Sequence, residues 1–398
     1  MWAVAAGALC SAAGRSIKTT IPRSSWRSHC DCHTDEDTLQ RRRRRYAGLR
    51  QRLRTNATRR RKVMRAGLSH RRAIVVGAGQ AGLAVAASLI ARGMRPQQDF
   101  VVIDASRDGL RSWTSRWHSM RLLTQARHSA LATRPLRGDP REHPPASQIA
   151  DYLDQVEQAL GVKPLWGVRA VGVEKRGDGS VLQLHTTEGE VQTRNIVCAT
   201  GASSRPRIPT WAQYLHVPDV ILHSSQYQSP RQIPSGKVLV VGGGTSGVQL
   251  AGELSATHPV TLAVRPRLPH GPLCVFPANA RYAPRAAGRR PTLGNRYREL
   301  TAMGVTLAPA VVSAVGGEVI FADGSTFAPD SVVLATGYHS GDEWLPPEAS
   351  RGRTRSGMTG LAGLFVAGIP AYANRGADTL AGVGSAANTI ARAIADGP

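Results

Sequence analysis

The chain is poor in cysteine, in aromatic residues and in acidic side chains, and each shortage removes a class of protein. Five cysteines in 398 residues, at 10, 30, 32, 198 and 274, form an odd and scattered set. Such a set makes no disulfide framework and suits a reducing, cytoplasmic compartment. Nowhere do about 18 apolar residues run together, the length a membrane-spanning helix needs, and the apolar stretch 2–13 lacks the charged leading region of a signal sequence. Only 27 Asp and Glu oppose 51 Lys and Arg, a net charge of +24. That excess invites a nucleic-acid partner until its position is considered. Residues 1–72 hold 19 basic against 4 acidic side chains, a net of +15, which leaves +9 for the remaining 326 residues. Aromatics are 5% of the chain and sparse in this arm, so it lacks the stacking platforms of a single-strand binder and a nucleic-acid partner is not expected.

The arm carries Arg41–Arg45 and a second basic run at 59–62 with little apolar periodicity. Charge of that density cannot pack into a core, so 1–71 reads as a disordered basic extension, with Met64 a candidate functional start. A targeting segment or a basic arm for nucleic acid or membrane is the alternative. The cluster His29-Cys30-Asp31-Cys32-His33 looks like a metal site but lacks the second ligand pair downstream that zinc usually requires, so no metal is expected.

What remains is rich in apolar residues, 41% of the chain, and long enough for two or three domains. Ala73-Ile74-Val75-Val76 is a short β-type run, followed by an alanine-rich helical stretch at 80–92 and a second strand at 100–103. This βαβ unit recurs at 238–241, 245–255 and 260–264, so the fold class is α/β with two Rossmann-like dinucleotide-binding domains. Between them 168–173, 181–185 and 191–197 read as a three-stranded meander broken at Gly177-Asp178-Gly179 and Glu188-Gly189. A strand at 364–367 and a helix from 378 to about 394 complete the pattern.

Each unit opens on a glycine fingerprint. In Gly77-Ala78-Gly79-Gln80-Ala81-Gly82 the first glycine allows a tight turn, the second lets backbone approach a pyrophosphate, and the third lets helix pack on strand. The helix N-terminus then offers N–H groups and a positive dipole end to the phosphates. Asp104 ends the next strand 22 residues on, where a carboxylate accepts hydrogen bonds from ribose hydroxyls. The second fingerprint is Gly242-Gly243-Gly244-Thr245-Ser246-Gly247, and its next strand runs out into Val264-Arg265-Pro266-Arg267 with no acid. A carboxylate repels a 2′-phosphate, whereas guanidinium groups hold it by charge-assisted bonds. The acidic site therefore suits FAD and the basic one NADPH, unless Arg265 and Arg267 merely belong to an arginine-rich surface.

From about 72 to 398 the chain resembles the flavin-containing monooxygenase family, in particular its compact bacterial and plant YUCCA-type members. Ser112-Trp113-Thr114-Ser115-Arg116-Trp117 through Leu122-Leu123-Thr124 is similar to the family's FAD-lining segment. His223-Ser224-Ser225-Gln226-Tyr227 with Pro230 resembles its identifying element, although Val217 and Asp219 stand where Phe and Gly are usual, which points to the looser bacterial relatives. Cys198-Ala199-Thr200-Gly201 and Leu334-Ala335-Thr336-Gly337-Tyr338 resemble the two turns at which the chain crosses between domains. Ser246-Gly247 with Gln249-Leu250-Ala251 and Glu253-Leu254 resembles the family's NADPH helix, and Arg375-Gly376 with Gly382-Val383-Gly384 its C-terminal flavin-side stretch.

The resemblance implies an NADPH domain at 207–332 inserted in an FAD domain at 72–206 and 333–398. It also implies a flavoprotein oxidoreductase in which NADPH reduces FAD, O2 adds to give a C4a-hydroperoxide, and oxygen passes to a small organic nitrogen, sulfur or carbonyl substrate. Gln125 stands where many members have an Asn beside the flavin; its amide offers the same groups on a longer stem, to serve the flavin or merely to fill the loop. Two rivals share parts of this reading. A disulfide reductase needs a redox cysteine pair near the flavin, which this cysteine spacing does not supply; an electron-transfer flavoprotein keeps both cofactors without oxygen transfer.

Overall fold

The structure is a computed structural model that describes residues 71–132, 134–177, 181–265, 293–351, 356–373 and 376–397. Every described residue belongs to one compact unit, Thr58–Pro398. The basic runs of the arm, its His/Cys cluster, Arg267 and Arg375 lie outside the described residues. Five described α-helices are α1 (Gln80–Ile90), α2 (Ala146–Leu160), α3 (Thr245–Leu254), α4 (Leu293–Ala302) and α5 (Val383–Asp396).

Two five-stranded parallel sheets carry the fold. The first has the order Leu364–Val366, Asn195–Cys198, Ala73–Val76, Phe100–Asp104, Leu165–Trp166. Strands buried on both faces need apolar residues at every position, and Ala73–Val76 is buried throughout. Alternate side chains then serve opposite faces. Ala73 and Val75 pack with α1, α2 and α5, whereas Ile74 and Val76 pack under an antiparallel sheet of Ala170–Arg176, Val181–Thr186 and Gly189–Thr193.

The second sheet has the order Thr306–Ala308, Val260–Ala263, Val238–Val241, Ser331–Leu334, Ile221–His223, again all parallel. α3 and α4 cover one face, and a second antiparallel sheet of Val311–Val315, Glu318–Phe321 and Thr326–Phe327 lies against the other. Because all five of its strands fall between Cys198 and Leu364, this second Rossmann-like domain is inserted within the first. The chain crosses between them twice, and the crossings pair as an antiparallel ribbon of Arg205–Pro206 with Tyr338–His339.

Two sequence expectations are corrected. The segment 191–197 is not one meander strand: it breaks at Arg194, so that Gly189–Thr193 stays antiparallel while Asn195–Cys198 joins the first parallel sheet. The C-terminal helix starts at Val383 rather than 378. The preceding segment is instead a turn in which Thr379 donates to the Gly376 carbonyl at 2.7 Å and accepts from the Gly382 N–H at 3.0 Å.

Candidate functional site

The two fingerprints adopt nearly the same backbone. Gly77 and Gly242 each put the would-be Cβ against the crossing turn, 2.3 Å from the Ala199 carbonyl oxygen and 2.4 Å from that of Ala335. At Gly82 and Gly247 a Cβ would lie 1.8 and 1.7 Å from the carbonyl oxygen of the first glycine, so helix and strand touch there and no side chain fits. The middle glycines differ. At Gly79 and Gly244 an added Cβ meets nothing within 4 Å.

Those glycines are the N-caps of α1 and α3, with no side-chain cap and no acid in either first turn. Uncapped N–H groups facing open space fit a pyrophosphate. At the head of α3 the hydroxyls of Thr245 and Ser246 make no hydrogen bond among the described residues. A dinucleotide therefore fits at each turn.

The surroundings distinguish the two. Beside the first, Asp104 accepts from the Ala78 N–H at 2.7 Å and from the Ser106 N–H at 2.8 Å, and a carboxylate with about four acceptor positions keeps some free for ribose hydroxyls. Beside the second, no acid stands at the strand end: Val264 packs over Gly243, and Arg265 is exposed.

Sequence reasoning missed the side chains that brace these turns. Arg111 is 7% exposed; its Nε donates to the Ala78 carbonyl at 2.8 Å, its guanidinium pairs with Asp154 and Glu157 on α2, and it stacks over Trp166 at 5.3 Å. Burial pushes the Glu157 carboxyl up even though Arg111 pulls it down. The Tyr297 hydroxyl, on α4, makes the matching bond to the Gly243 carbonyl at 2.7 Å. Only the i,i+3 spacing of Asp154 and Glu157 on a helix face hinted at this in the sequence.

Other expected residues fall as follows. Trp113 donates to the Gln80 side chain at 3.0 Å, which brings it to the head of α1. Arg116 stacks over Trp113 and Tyr338 at 6.0 and 5.8 Å and donates to the Tyr338 hydroxyl at 3.2 Å. Trp117, expected beside FAD, is 2% exposed in the core of the inserted domain with Tyr227 and Val240. The Thr124 hydroxyl pairs with Ser129 at 2.6 Å, while the half-buried Gln125 side chain makes no hydrogen bond among the described residues.

The crossing turns clasp one another. Thr200 donates to the Gly341 carbonyl at 2.6 Å and Thr336 to the Arg207 carbonyl at 2.5 Å. Each threonine thus holds the chain that leaves the other turn. Gly201 and Gly337 have φ of +83° and +86° with open space at Cβ, so backbone conformation, not crowding by the protein, calls for glycine there.

Cys198, the free cysteine among the described residues, is buried, and burial pushes its thiol up to about 11. Among the described residues no group of three His, Cys, Asp or Glu could hold a metal, and no helix is long and apolar enough to cross a membrane.

Two Rossmann-like dinucleotide-binding domains, one inserted in the other and joined by a clasped ribbon, define a two-nucleotide oxidoreductase. Residues 74–355 match the pyridine nucleotide-disulphide oxidoreductase family. An uncharacterised oxidoreductase CzcO of Bacillus velezensis is 30% identical over 81% of this chain and 99% of that protein. Indole-3-pyruvate monooxygenase YUCCA4 of Oryza sativa subsp. japonica is 26% identical over 81% of this chain and 87% of the relative. The flavin-containing monooxygenase of Stenotrophomonas maltophilia, 23% identical, superposes with a TM-score of 0.66 over 81% of this chain and 97% of that one. The chain belongs to the pyridine nucleotide-disulphide oxidoreductase family and is similar to flavin-containing and indole-3-pyruvate monooxygenases.

Proposed function

We propose that residues 72–206 and 333–398 hold FAD, that 207–332 hold NADPH, and that the enzyme passes oxygen from a C4a-hydroperoxyflavin to a small organic nitrogen, sulfur or carbonyl substrate. One atom of O2 enters the substrate and the other leaves as water, with NADPH supplying the two electrons. The observation that carries this reading is the pair of open, uncapped helix heads beside strand ends of opposite chemistry, Asp104 and Arg265.

Bound FAD supplies the redox and oxygen chemistry, and the protein supplies binding, orientation and exclusion of water. Asp104 would meet the ribose hydroxyls of FAD, with Gly77, Gly79 and Gly82 shaping the turn beneath its pyrophosphate. Thr200, Gly201, Arg375 and Gly376 would border the same cofactor. On the inserted domain Gly242, Gly244, Thr245, Ser246 and Gly247 would take the pyrophosphate of NADPH, Arg265 and Arg267 its 2′-phosphate, and Thr336 and Gly337 would close the crossing beside it. The Gln125 amide, which no described residue engages, is left to the flavin side.

Thiol-based reduction is disfavoured, because Cys198 is buried with a raised pKa and is paired with Thr200 rather than with a second cysteine. Electron transfer without oxygenation is the second reading, since the same two cofactor sites serve it. Stopped-flow mixing of NADPH-reduced enzyme with oxygen separates them. Oxygenation requires a long-lived absorbance distinct from oxidised flavin before any substrate is added; direct reoxidation with no such phase assigns the chain to electron transfer.

A further inference from the structure

Gln80 is the first residue of α1, a position from which a side chain ordinarily reaches water. Here its carboxamide is used at both ends. Oε1 accepts from the Trp113 indole N–H at 3.0 Å, and Nε2 donates to the Asp378 main-chain carbonyl at 2.6 Å. An indole N–H only donates and a carbonyl only accepts, so the orientation of the amide is fixed. The partners stand 33 and 298 residues away in sequence, and they belong to two other segments that border the first dinucleotide site.

Both partners are held from behind. Arg116 lies over the Trp113 ring, and Asp378 belongs to the turn closed by Thr379 between Gly376 and Gly382. Movement of one carbonyl therefore moves the turn with it. The amide satisfies both contacts at this spot, and charged side chains of similar length do not. Glu accepts from the indole but has no donor for the carbonyl, and it places negative charge where a phosphate belongs; Lys and Arg have no acceptor for the indole.

We propose that Gln80 is a positioning residue that latches the FAD site, tying the tryptophan segment and the C-terminal turn across the head of α1 and slowing the release of bound cofactor. This rests on the reading that FAD occupies the first site. The Gln80–Asp378 bond is solvent-exposed, so water replaces it readily in FAD-free protein, and its effect falls on cofactor retention rather than on folding.

The test follows flavin fluorescence as purified, FAD-loaded enzyme is diluted, in wild type, Gln80→Met, Trp113→Phe, the double variant and Gly79→Ala. Gln80→Met should release FAD on the order of tenfold faster, the scale of one or two lost hydrogen bonds. Trp113→Phe should give part of that acceleration alone and none in the presence of Gln80→Met. The thermal midpoint of FAD-free protein should stay at the wild-type value. Should Gln80→Met purify without flavin, FAD titration of that protein replaces dilution. Weaker binding at an unchanged thermal midpoint supports the latch, and a lowered midpoint overturns it. Release within twofold of wild type, or effects of the two substitutions that simply multiply, overturns the latch. Gly79→Ala keeps the two readings apart: if it too leaves FAD binding untouched, the placement of FAD has failed, whereas lost binding in Gly79→Ala with none in Gln80→Met removes the latch alone.

Discussion

His223 Nε2 lies 3.0 Å from the carbonyl oxygen of Gly337, so the second crossing turn hangs on the imidazole at the end of the edge strand Ile221–His223. The Ser225 N–H donates to Nδ1 at 3.1 Å, which leaves the ring proton on Nε2 to bond the carbonyl. The neutral ring is the form this network needs. Burial lowers the His223 pKa from its ordinary value, and the nearby Arg116 acts in the same direction while the bond to Gly337 opposes it.

A depressed histidine pKa means that the unfolded chain takes up its proton first as pH falls. The contribution of His223 is therefore full above the unfolded value of about 6.5 and is lost as pH drops through the folded value. Thermal midpoints measured from pH 8 to pH 5 should decline below about pH 6.5, and His223→Gln should flatten that part of the curve. A wild-type profile matching that of His223→Gln would remove His223 from the account.

The glycine substitutions should separate folding from ligand binding. At Gly77 a Cβ would stand 2.3 Å from the Ala199 carbonyl oxygen with φ at +115°, whereas at Gly79 it would meet nothing within 4 Å. Gly77→Ala should destabilise the protein by more than about 1 kcal/mol, through backbone strain and overlap. Gly79→Ala should keep the thermal midpoint of FAD-free wild type and lose FAD, because only a ligand fills that space. The same contrast is expected for NADPH between Gly242 and Gly244, and it is read by nucleotide titration beside differential scanning calorimetry. Equal stability loss at Gly77 and Gly79 would sink it.

The features legible in the sequence were those written in short-range pattern. Val238–Val241 has the bounds its apolar run predicts, because a strand buried on both faces has no polar position to blur it. The fingerprint turns were legible because three glycines within six residues have separate steric jobs. Long-range ties were not. Arg111 reads as one more arginine until α2 brings Asp154 and Glu157 to it from 43 and 46 residues away, and Tyr297 meets Gly243 across 54. The segment 191–197 misled because the chain changes sheets at Arg194 with no glycine or proline between Val191 and Val197 to mark the switch. The structure separates the tryptophan pair: Trp113 reaches the head of α1, whereas Trp117 fills the core of the other domain.

Nucleotide choice should reside in the basic strand end. Arg265 is exposed beyond Val264, next to a fingerprint whose neighbouring strand ends without a carboxylate. Replacing Arg265 and Arg267 together by Ala should cost about 1–3 kcal/mol in kcat/KM for NADPH, the range for charge-assisted bonds to a phosphate, and leave NADH nearly unchanged. Steady-state kinetics with both nucleotides decides it. Equal losses for the two would show that these arginines do not read the 2′-phosphate.

The Gln125 backbone is fixed by the short helix Ala126–His128 that follows it and by Ser129, which donates to the Gln125 carbonyl at 2.9 Å. Its side chain is half-buried and makes no hydrogen bond among the described residues. A carboxamide held there keeps a donor and an acceptor for a bound group. If it donates to oxygen activated on the flavin, truncation removes a stabilising contact in a site that must exclude water. Gln125→Ala should then leave KM for NADPH and the rate of flavin reduction near wild type. The oxygen-dependent intermediate absorbance should decay on the order of tenfold faster, the cost of about one hydrogen bond to a charged group. NADPH consumption should be diverted to hydrogen peroxide, measured by coupled peroxidase assay. Gln125→Asn, which keeps the amide on a shorter stem, should restore part of the lifetime. Unchanged decay and unchanged peroxide yield in Gln125→Ala would show that the residue only fills its loop, and a slowed reduction step in the same variant would move its role to the NADPH half of the reaction.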